Sequence, residues 1–192
     1  MSSLIRKVIR ERRTIRSFID KDIPTKLLVE LLQDASFAPN HKHREPWSFI
    51  LFRDEAKEKL SEAALKRVRE SEKMKALTSE KQVEKINKMK NIYQQCPAHL
   101  IVLCDVSDNK KVYQEDYAAT SAFIQNFQLL AWDHGIGMVW KTPLFIEDPS
   151  FFDELGINAT KKIVGLLHIG YPLDIPKTRE RSNIVEKLEI RK

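Results

Sequence analysis

The sequence predicts a single domain of the α/β or α+β class, built around a small sheet of about four strands. Three observations support this prediction. The chain has 192 residues, the length of one ordinary domain and enough to bury a core without disulfides. Segments with helical periodicity interleave with short apolar runs. No repeat, low-complexity stretch or linker divides the chain, so residues 1–192 are expected to form one domain.

The first quarter of the chain predicts two helices and one strand. Residues 4–12 place their apolar side chains on one helical stripe, and residues 25–37 do the same after Pro24. Pro39 is expected to end the second helix. The aromatic-rich run Trp47–Phe52 is short and bounded by turn-forming residues, so it predicts a strand.

The middle of the chain predicts two charged helices and a buried strand. The helices cover residues 55–70 and 79–93, and Ser79 is the expected N-cap of the second. The following run, Leu100–Cys104, is continuously apolar. Such a run is typical of a strand that is covered on both faces.

Residues 115–134 give the strongest helical pattern, because apolar side chains occupy much of the circumference. This helix is therefore expected to be central and buried, and Gly135 is expected to follow its last turn. Residues 137–141 and 163–169 predict two further strands. The tail from residue 173 is polar and charged, which suits either a mobile segment or one that clasps a partner.

Composition excludes several classes of protein. No apolar run approaches the roughly 20 residues that span a bilayer, and the N-terminus lacks a signal-peptide core. Two cysteines cannot build a disulfide framework, so we expect a cytoplasmic protein. The excess of 33 Lys and Arg over 27 Asp and Glu gives a net charge of +6. That modest excess permits an acidic ligand but does not by itself indicate nucleic-acid binding.

Glycine is scarce, and this scarcity restricts how the chain can bind phosphate. Only five glycines occur, and none belongs to a G-x-x-x-x-G-K-[ST] loop or a complete G-x-G-x-x-G motif. A phosphate site in this protein would therefore depend mainly on side chains.

Four segments could form a binding site, and each also has an ordinary structural explanation. The cluster Arg12, Arg13, Thr14 and Arg16 could bind an anion or simply be a solvated helix end. The basic loop at 38–47 could bind a ligand or be a surface loop. The strand end at 137–143 presents a cation and a hydroxyl. The segment 170–179 could be a second anion contact or part of a solvated tail.

No catalytic constellation or metal site is predicted. His41 and His43 lack a third ligand in reach, and adjacent Glu115 and Asp116 diverge by about 100° on a helix. We expect both cysteines to be structural, and the remaining histidines to serve packing or the surface; these are Cys96, Cys104, His99, His134 and His168.

Taken together, these segments resemble the nitroreductase family of flavoproteins, and in particular its short YdjA-like members. Residues 11–18 read like the family's R-R-S-x-R-x-F motif, and residues 38–49 are similar to its A-P-x-x-x-x-x-P-W-x-F segment. The segments Asp116–Gly137 and Gly170–Pro172 match in order and spacing. The resemblance covers about residues 4–181.

This resemblance implies an α+β fold with a small, mostly antiparallel sheet flanked by helices. It also implies an intertwined homodimer that binds FMN at the subunit interface, with residues 173–192 packed on the partner. The implied activity is an NAD(P)H-dependent oxidoreductase that reduces nitroaromatics, quinones or related small acceptors by a ping-pong mechanism. The flavin carries the chemistry, so no protein residue is expected to be catalytic.

The resemblance also implies contact residues for each cofactor. The implied FMN contacts are Arg12, Arg13, Thr14, Arg16, Phe37, His41, Trp140, Lys141, Thr142, Lys177 and Arg179. The segment implied to contact NAD(P)H is Leu130, Ala131, Trp132, Asp133, His134 and Gly135.

Three positions depart from the family pattern. Thr14 replaces a serine but keeps the hydroxyl, and Lys141 replaces an arginine but keeps the charge. Glu45 stands where glutamine is common, which would disfavour an anionic acceptor. The charged helices predicted at 55–70 and 79–93 occupy the region that varies most in the family.

Other functions remain open at this point. The same fold could serve a flavin-dependent dehydrogenase or reductase of another small substrate, including a deiodinase-like enzyme, or a flavin-binding protein with little turnover. A basic nucleic-acid-binding protein is a further alternative, but the basic runs mostly lack the interleaved aromatic residues that stack on bases. We expect neither a nucleic-acid partner nor a membrane partner.

Overall fold

A computed structural model describes residues 4–192, and its centre is one antiparallel sheet of four strands. The strands follow the order β1-β2-β4-β3, so the third and fourth strands of the chain exchange places. They are β1 (Trp47–Phe52), β2 (Ala98–Asp105), β3 (Gly137–Lys141) and β4 (Lys161–Gly170). The two central strands are almost wholly buried, as the apolar sequence of β2 predicts.

Seven α-helices and three short 3₁₀ turns surround this sheet within residues 4–192. The helices are α1 (Leu4–Glu11), α2 (Thr25–Ala35), α3 (Ala56–Glu70), α4 (Glu72–Lys75), α5 (Ser79–Gln95), α6 (Lys110–Asp133) and α7 (Pro149–Leu155). The 3₁₀ turns are His41–His43, Leu144–Glu147 and Ile184–Lys187. None of the helices in this range is long and apolar enough to cross a bilayer.

Each face of the sheet supports its own apolar core. On one face, α2 and α6 pack against the strands, with Phe123 and Phe127 of α6 fully buried. On the other face, α3, α7 and the end of α5 cover the sheet through Leu60, Phe151 and Tyr93. The fold is therefore α+β, as predicted, with helices on both faces of an antiparallel sheet.

The predicted elements are present, and the differences concern their ends. Helix α6 begins at residue 110 rather than 115, because the Asn109 Oδ1 accepts hydrogen bonds from the backbone N–H groups of the first turn. Helix α5 begins at Ser79, with Thr78 as its N-cap, so the prediction of Ser79 in that role was wrong by one residue. Gly135 follows α6 with a φ of +72°, as expected for a residue after a helix.

Two helices have no clear signal in the sequence. Helix α4 is only one turn long, and α7 covers seven residues, so neither shows a full helical period. The start of α7 is determined by Asp148, whose Oδ1 accepts a hydrogen bond of 2.9 Å from the Ser150 N–H. Gly156 ends it in the left-handed conformation.

Gly165 allows the Trp140 indole to lie directly against the sheet backbone. A Cβ added at Gly165 would overlap with the indole ring. The ring is also held in place, because its Nε1–H donates a 3.0 Å hydrogen bond to the Val164 carbonyl. The absence of a side chain at this position is therefore a packing requirement of the β3–β4 pair.

We predict that Gly165→Ala lowers the free energy of unfolding by about 2–3 kcal/mol, because the new methyl group displaces an indole that is hydrogen-bonded. Gly156→Ala is the control, since it has open space and only an unfavourable φ of +69°; we expect it to cost about 1 kcal/mol. Urea denaturation measures both. A smaller loss for Gly165→Ala than for Gly156→Ala would contradict the packing argument.

Candidate functional site

The segment after α1 runs along the edge strand β3. Thr14 forms a parallel bridge with Met138, and the Ile15 N–H donates a 3.2 Å hydrogen bond to the Met138 carbonyl. Ile15 is buried, whereas its neighbours Thr14 and Arg16 are more accessible. Gly137 permits this close approach, since a Cβ there would overlap with the Ile15 side chain. The side chains of this segment therefore alternate between the core and the surface, as they would in a strand added at the edge of the sheet.

The C-terminal tail returns to the same place. The Leu173 N–H donates a 3.0 Å hydrogen bond to the Ser17 carbonyl. Further along, the Arg13 guanidinium donates to the Thr178 hydroxyl. Residues at the two ends of the chain are thereby brought side by side.

Three arginines meet where these ends join, and we call Arg12, Arg13 and Arg181 the basic corner. Partial burial lowers the pKa of Arg12 below its usual value, and the positive charges of Arg13 and Arg181 lower it further. Sequence reasoning identified Arg12 and Arg13 but missed Arg181. No motif connects Arg181 to the other two, which lie far away along the chain.

The basic corner has no acidic partner in the part of the chain that the structure describes. Within residues 4–192, none of the ion pairs within 4 Å includes a residue of the corner, Arg16 or Lys141. Like charges at close range oppose one another, and a bound anion removes that cost. The donor set therefore fits a phosphate group.

Lys141, at the end of β3, forms a second cationic feature close to Arg16. Burial lowers the pKa of Lys141, and the nearby charge of Arg16 lowers it further. Because the bridge between Thr14 and Met138 is parallel, Arg16 lies towards the same end of β3 as Lys141. Lys141 also lines a small cavity of about 100 Å³, together with Tyr93 and Phe145.

The other residues implied to contact FMN differ in exposure. Trp140 is half-buried and uses its indole N–H within the sheet, so its polar atom is already occupied. Thr142 is exposed next to Lys141. Lys177 and Arg179 are exposed on the tail, on either side of the Thr178 that contacts Arg13.

The segment implied to contact NAD(P)H forms the end of α6 and the turn that follows. Ala131 is fully buried and Leu130 packs against the core, so their side chains stabilise the fold. Trp132 is half-buried, and residues 133–135 are exposed. The accessible part of this segment is therefore its C-terminal half.

The basic loop predicted before β1 has an unusual backbone, and we call residues 40–45 the strained loop. Lys42, His43 and Glu45 have φ values of +56°, +50° and +46°. Residues with a Cβ rarely adopt this left-handed region, and each such residue costs on the order of 1 kcal/mol. His41 is exposed within this loop, and Phe37 just before it is 85% exposed.

Arg44 holds the strained loop to helix α6. Its Nε donates a 2.7 Å hydrogen bond to Oδ1 of Asp116, and its Nη2 donates a 3.0 Å hydrogen bond to Oε2 of Glu115. The Asp116 side chain is only 6% exposed. The Arg44 contact lowers the pKa of Glu115. The two carboxylates were expected to diverge, and instead both reach one guanidinium, which sequence reasoning did not assign to a site.

The strained loop and the basic corner lie at opposite corners of the sheet. They belong to the two edge strands, β1 and β3, which are three strand spacings or about 14 Å apart. The loop precedes the Trp47 end of β1, and Thr14 lies near the other end of the strands, a further ~20 Å away at ~3.4 Å per residue. One chain therefore does not bring Phe37 or His41 to the basic corner.

Comparison with known proteins gives consistent results. The model of the Nitroreductase family matches residues 9–171. The protein named "Putative NAD(P)H nitroreductase YfhC" of Bacillus subtilis is 35% identical over 188 residues, covering 96% of this chain and 93% of that protein.

Solved structures share the fold. A nitroreductase-like family protein from Bacillus cereus superposes with a TM-score of 0.87 and 40% identity, covering 99% of this chain and 97% of that chain. An FMN and NADPH-dependent nitroreductase, NfnB from Sphigopyxis sp. strain HMH, has a TM-score of 0.78 at 15% identity, covering 99% of this chain and all of that chain.

We predict that Arg44→Ala lowers the free energy of unfolding by about 2 kcal/mol, because it removes two charged hydrogen bonds and leaves Asp116 buried without a partner. Glu115→Gln is the matched control at the more exposed partner, and its expected loss is below about 1 kcal/mol. Chemical denaturation and limited proteolysis of the strained loop measure these effects.

Equal losses for Arg44→Ala and Glu115→Gln would show that the loop is not held in this way.

Proposed function

The chain belongs to the nitroreductase family, and on this premise we propose how it works. It is an oxidoreductase that uses FMN and takes reducing equivalents from NAD(P)H. We propose that it passes them to a nitroaromatic, quinone or related small acceptor. FMN, when bound, supplies the redox chemistry, and the protein binds it, orients it and adjusts its surroundings.

This proposal rests mainly on one observation: within residues 4–192, no carboxylate forms an ion pair with the arginines of the basic corner. Arg12 and Arg181 offer planar donor groups that match phosphate oxygens in pairs. Arg13 adds charge and its remaining N–H groups, because its Nη1 already donates to the carbonyls of Arg10 and Arg12 and its Nη2 donates to Thr178. Thr14 adds a hydroxyl at the same edge of the sheet. This arrangement suits the terminal phosphate of FMN, and it supplies by side chains what a glycine-rich loop supplies in other nucleotide-binding proteins.

Lys141 and Arg16 would serve the ring end of the cofactor. Their charges lie close enough for one to lower the pKa of the other. A positive charge held in a partly buried place stabilises negative charge on a bound ring system without reorganisation. Trp140 and Thr142 would complete this part of the site, and Lys177 and Arg179 would add charge near the phosphate.

We further propose that the complete site requires two copies of the chain. Phe37 and His41 would approach the cofactor of the partner subunit, since they lie far from the basic corner of their own chain. NAD(P)H would approach near the exposed Asp133 and His134. If NAD(P)H and the acceptor use one pocket in turn, the kinetics are ping-pong.

Exposed apolar side chains support such a dimer. Leu4, Ile5 and Ile9 on α1 are 53–70% exposed, and this helix buries none of its residues in the chain itself. The tail leaves Ile184 and Leu188 exposed as well. Apolar patches of this kind mark protein–protein contacts, so we propose that α1 and residues 173–192 pack on the partner.

The proposed function is tested by absorbance. Purified protein incubated with FMN and gel-filtered should keep one FMN per chain, lose the flavin absorbance band on anaerobic addition of NADH or NADPH, and recover it on addition of a nitroaromatic or quinone. Protein that does not retain FMN, or retained FMN that neither nicotinamide cofactor reduces, would reject the proposal.

We predict that Arg13→Ala raises the Kd for FMN about 10- to 100-fold, because a charged hydrogen bond contributes about 1.5–3 kcal/mol. The control is Arg69→Ala, which removes the same charge from an exposed position on α3. Flavin fluorescence quenching measures both Kd values. A similar small change in both variants would mean that only the overall charge matters.

We predict that Ile184→Asp combined with Leu188→Asp weakens the dimer at least tenfold. These side chains are 73% and 59% exposed within one chain, so the substitutions should leave the folded subunit intact while placing charge in an apolar contact. Analytical ultracentrifugation measures the effect, with Lys187→Ala as the control. Wild-type protein that is monomeric with FMN bound would contradict the two-copy site.

A further inference from the structure

Three side chains that can bind metals meet on one face of the sheet, and none of them is a proposed flavin contact. His99 on β2 and His168 on β4 are direct partners in the strand register. Cys96 lies between α5 and β2, three residues before His99. One donor atom from each residue lies within 4.8 Å of the other two, and all three residues are at most 1% exposed.

The hydrogen bonds orient both imidazoles towards the centre of this cluster. His99 Nε2 lies 2.9 Å from the Tyr93 carbonyl, which can only accept, so Nε2 carries the proton and Nδ1 has a free electron pair. His168 Nδ1 lies next to His99 Nδ1, so His168 carries its proton on Nδ1 and donates it to the free electron pair of His99. A histidine that donates one ring N–H to a carbonyl and turns the other nitrogen inward has the arrangement usual for metal ligands.

We propose that Cys96, His99 and His168 form a buried site for one soft metal ion. The ion would take the place of the proton between the two imidazoles and bind Nδ1 of both rings and the sulfur of Cys96. His168 would move its proton from Nδ1 to Nε2, and the Cys96 thiol would release its proton to solvent. One proton therefore leaves for each ion that binds.

The donors and their surroundings favour Cu⁺ over Zn²⁺. Thiolate and imidazole suit both ions. Structural zinc sites are almost always four-coordinate, and this cluster offers three ligands within residues 4–192. Cu⁺ and one thiolate leave no net charge, whereas Zn²⁺ would leave a positive charge near two lysines, Lys57 and Lys141. Lys57 itself donates a 3.1 Å hydrogen bond to the Cys96 carbonyl.

Hydrogen bonds keep the three donors in place without a metal. The Tyr93 carbonyl accepts the His99 Nε2 proton, so Nδ1 of His99 keeps an electron pair for an ion. The Cys96 thiol donates weak hydrogen bonds to the carbonyls of Ala98 and Ile169, at 3.2 and 3.4 Å. These contacts hold the sulfur in position without consuming a buried charge.

Binding would join three parts of the fold. Cys96 follows the last turn of α5, and the two histidines belong to the two central strands. An ion that binds only the folded protein raises its stability in proportion to the logarithm of ion concentration over Kd. The site also lies beside Lys141, so the metal would connect the sheet interior with the residue proposed for the flavin ring.

The test is an anaerobic metal titration of the full-length protein after treatment with a chelator. We expect one Cu⁺ per chain that bicinchoninate does not remove, a rise in Tm on loading, and at least tenfold weaker binding of Zn²⁺. Cys96→Ser and His168→Asn should each abolish the bicinchoninate-resistant Cu⁺. This result does not depend on FMN, so it can fail or succeed separately from the proposed function.

Two controls separate this site from other thiols and imidazoles. Cys104→Ser removes the other buried cysteine, which faces the core on the opposite side of the sheet, and it should leave Cu⁺ binding unchanged. His41→Asn combined with His43→Asn removes two exposed imidazoles of the strained loop and should also leave it unchanged.

X-ray absorption on the wild-type Cu⁺ protein keeps the test valid if a variant fails to fold. The expected spectrum has one sulfur and two nitrogen ligands. The proposal is overturned by the absence of a stoichiometric ion, by retention of Cu⁺ in both Cys96→Ser and His168→Asn, by a ligand set without sulfur, or by tighter binding of Zn²⁺ than of Cu⁺.

The sequence alone predicted no metal site, because it does not show that His168 faces His99.

Discussion

The placement of Arg13 and Arg181 beside the partly buried Arg12 is the constraint on which the proposed site depends. Three guanidiniums gather where the two ends of the chain meet, and within residues 4–192 no carboxylate pairs with them. Like charges held together in this way oppose one another, and a bound anion offsets that repulsion. The tight contact that brings the charges together is possible because Gly137 lets Ile15 lie against β3.

At the other corner of the sheet, the strained loop also lowers the stability of the protein while it positions a proposed binding residue. The strained loop keeps three residues in the left-handed region, and Arg44 offsets that cost by joining the loop to Asp116 and Glu115. A loop held in this way presents His41 from a defined position, although its side chain is exposed, and Phe37 is exposed just before the loop. Because this corner is far from the basic corner, the two halves of the proposed site can meet only when two chains associate.

The interior of the sheet contains its own polar cluster. Two facing histidines and a cysteine occupy places where apolar residues would pack more simply, and burial makes any charge there costly. Their hydrogen bonds satisfy the neutral forms. The cluster connects α5 with both central strands, next to the lysine at the end of β3.

The sequence by itself determined the order and type of the main elements, because helical and strand periodicities depend on neighbouring residues. It also identified Arg12, Arg13, Thr14 and Arg16 as a candidate anion site, since their chemistry is visible within five consecutive positions. The short helices α4 and α7 were not predicted, because neither shows a full period and local caps set their ends.

Only the tertiary structure decided which distant residues meet. It brought Arg181 to Arg12, directed Glu115 and Asp116 to Arg44, and placed His168 opposite His99. The physical reason is that strand order and register set these contacts. A sheet whose last two strands exchange places is not evident from the local pattern of any one segment.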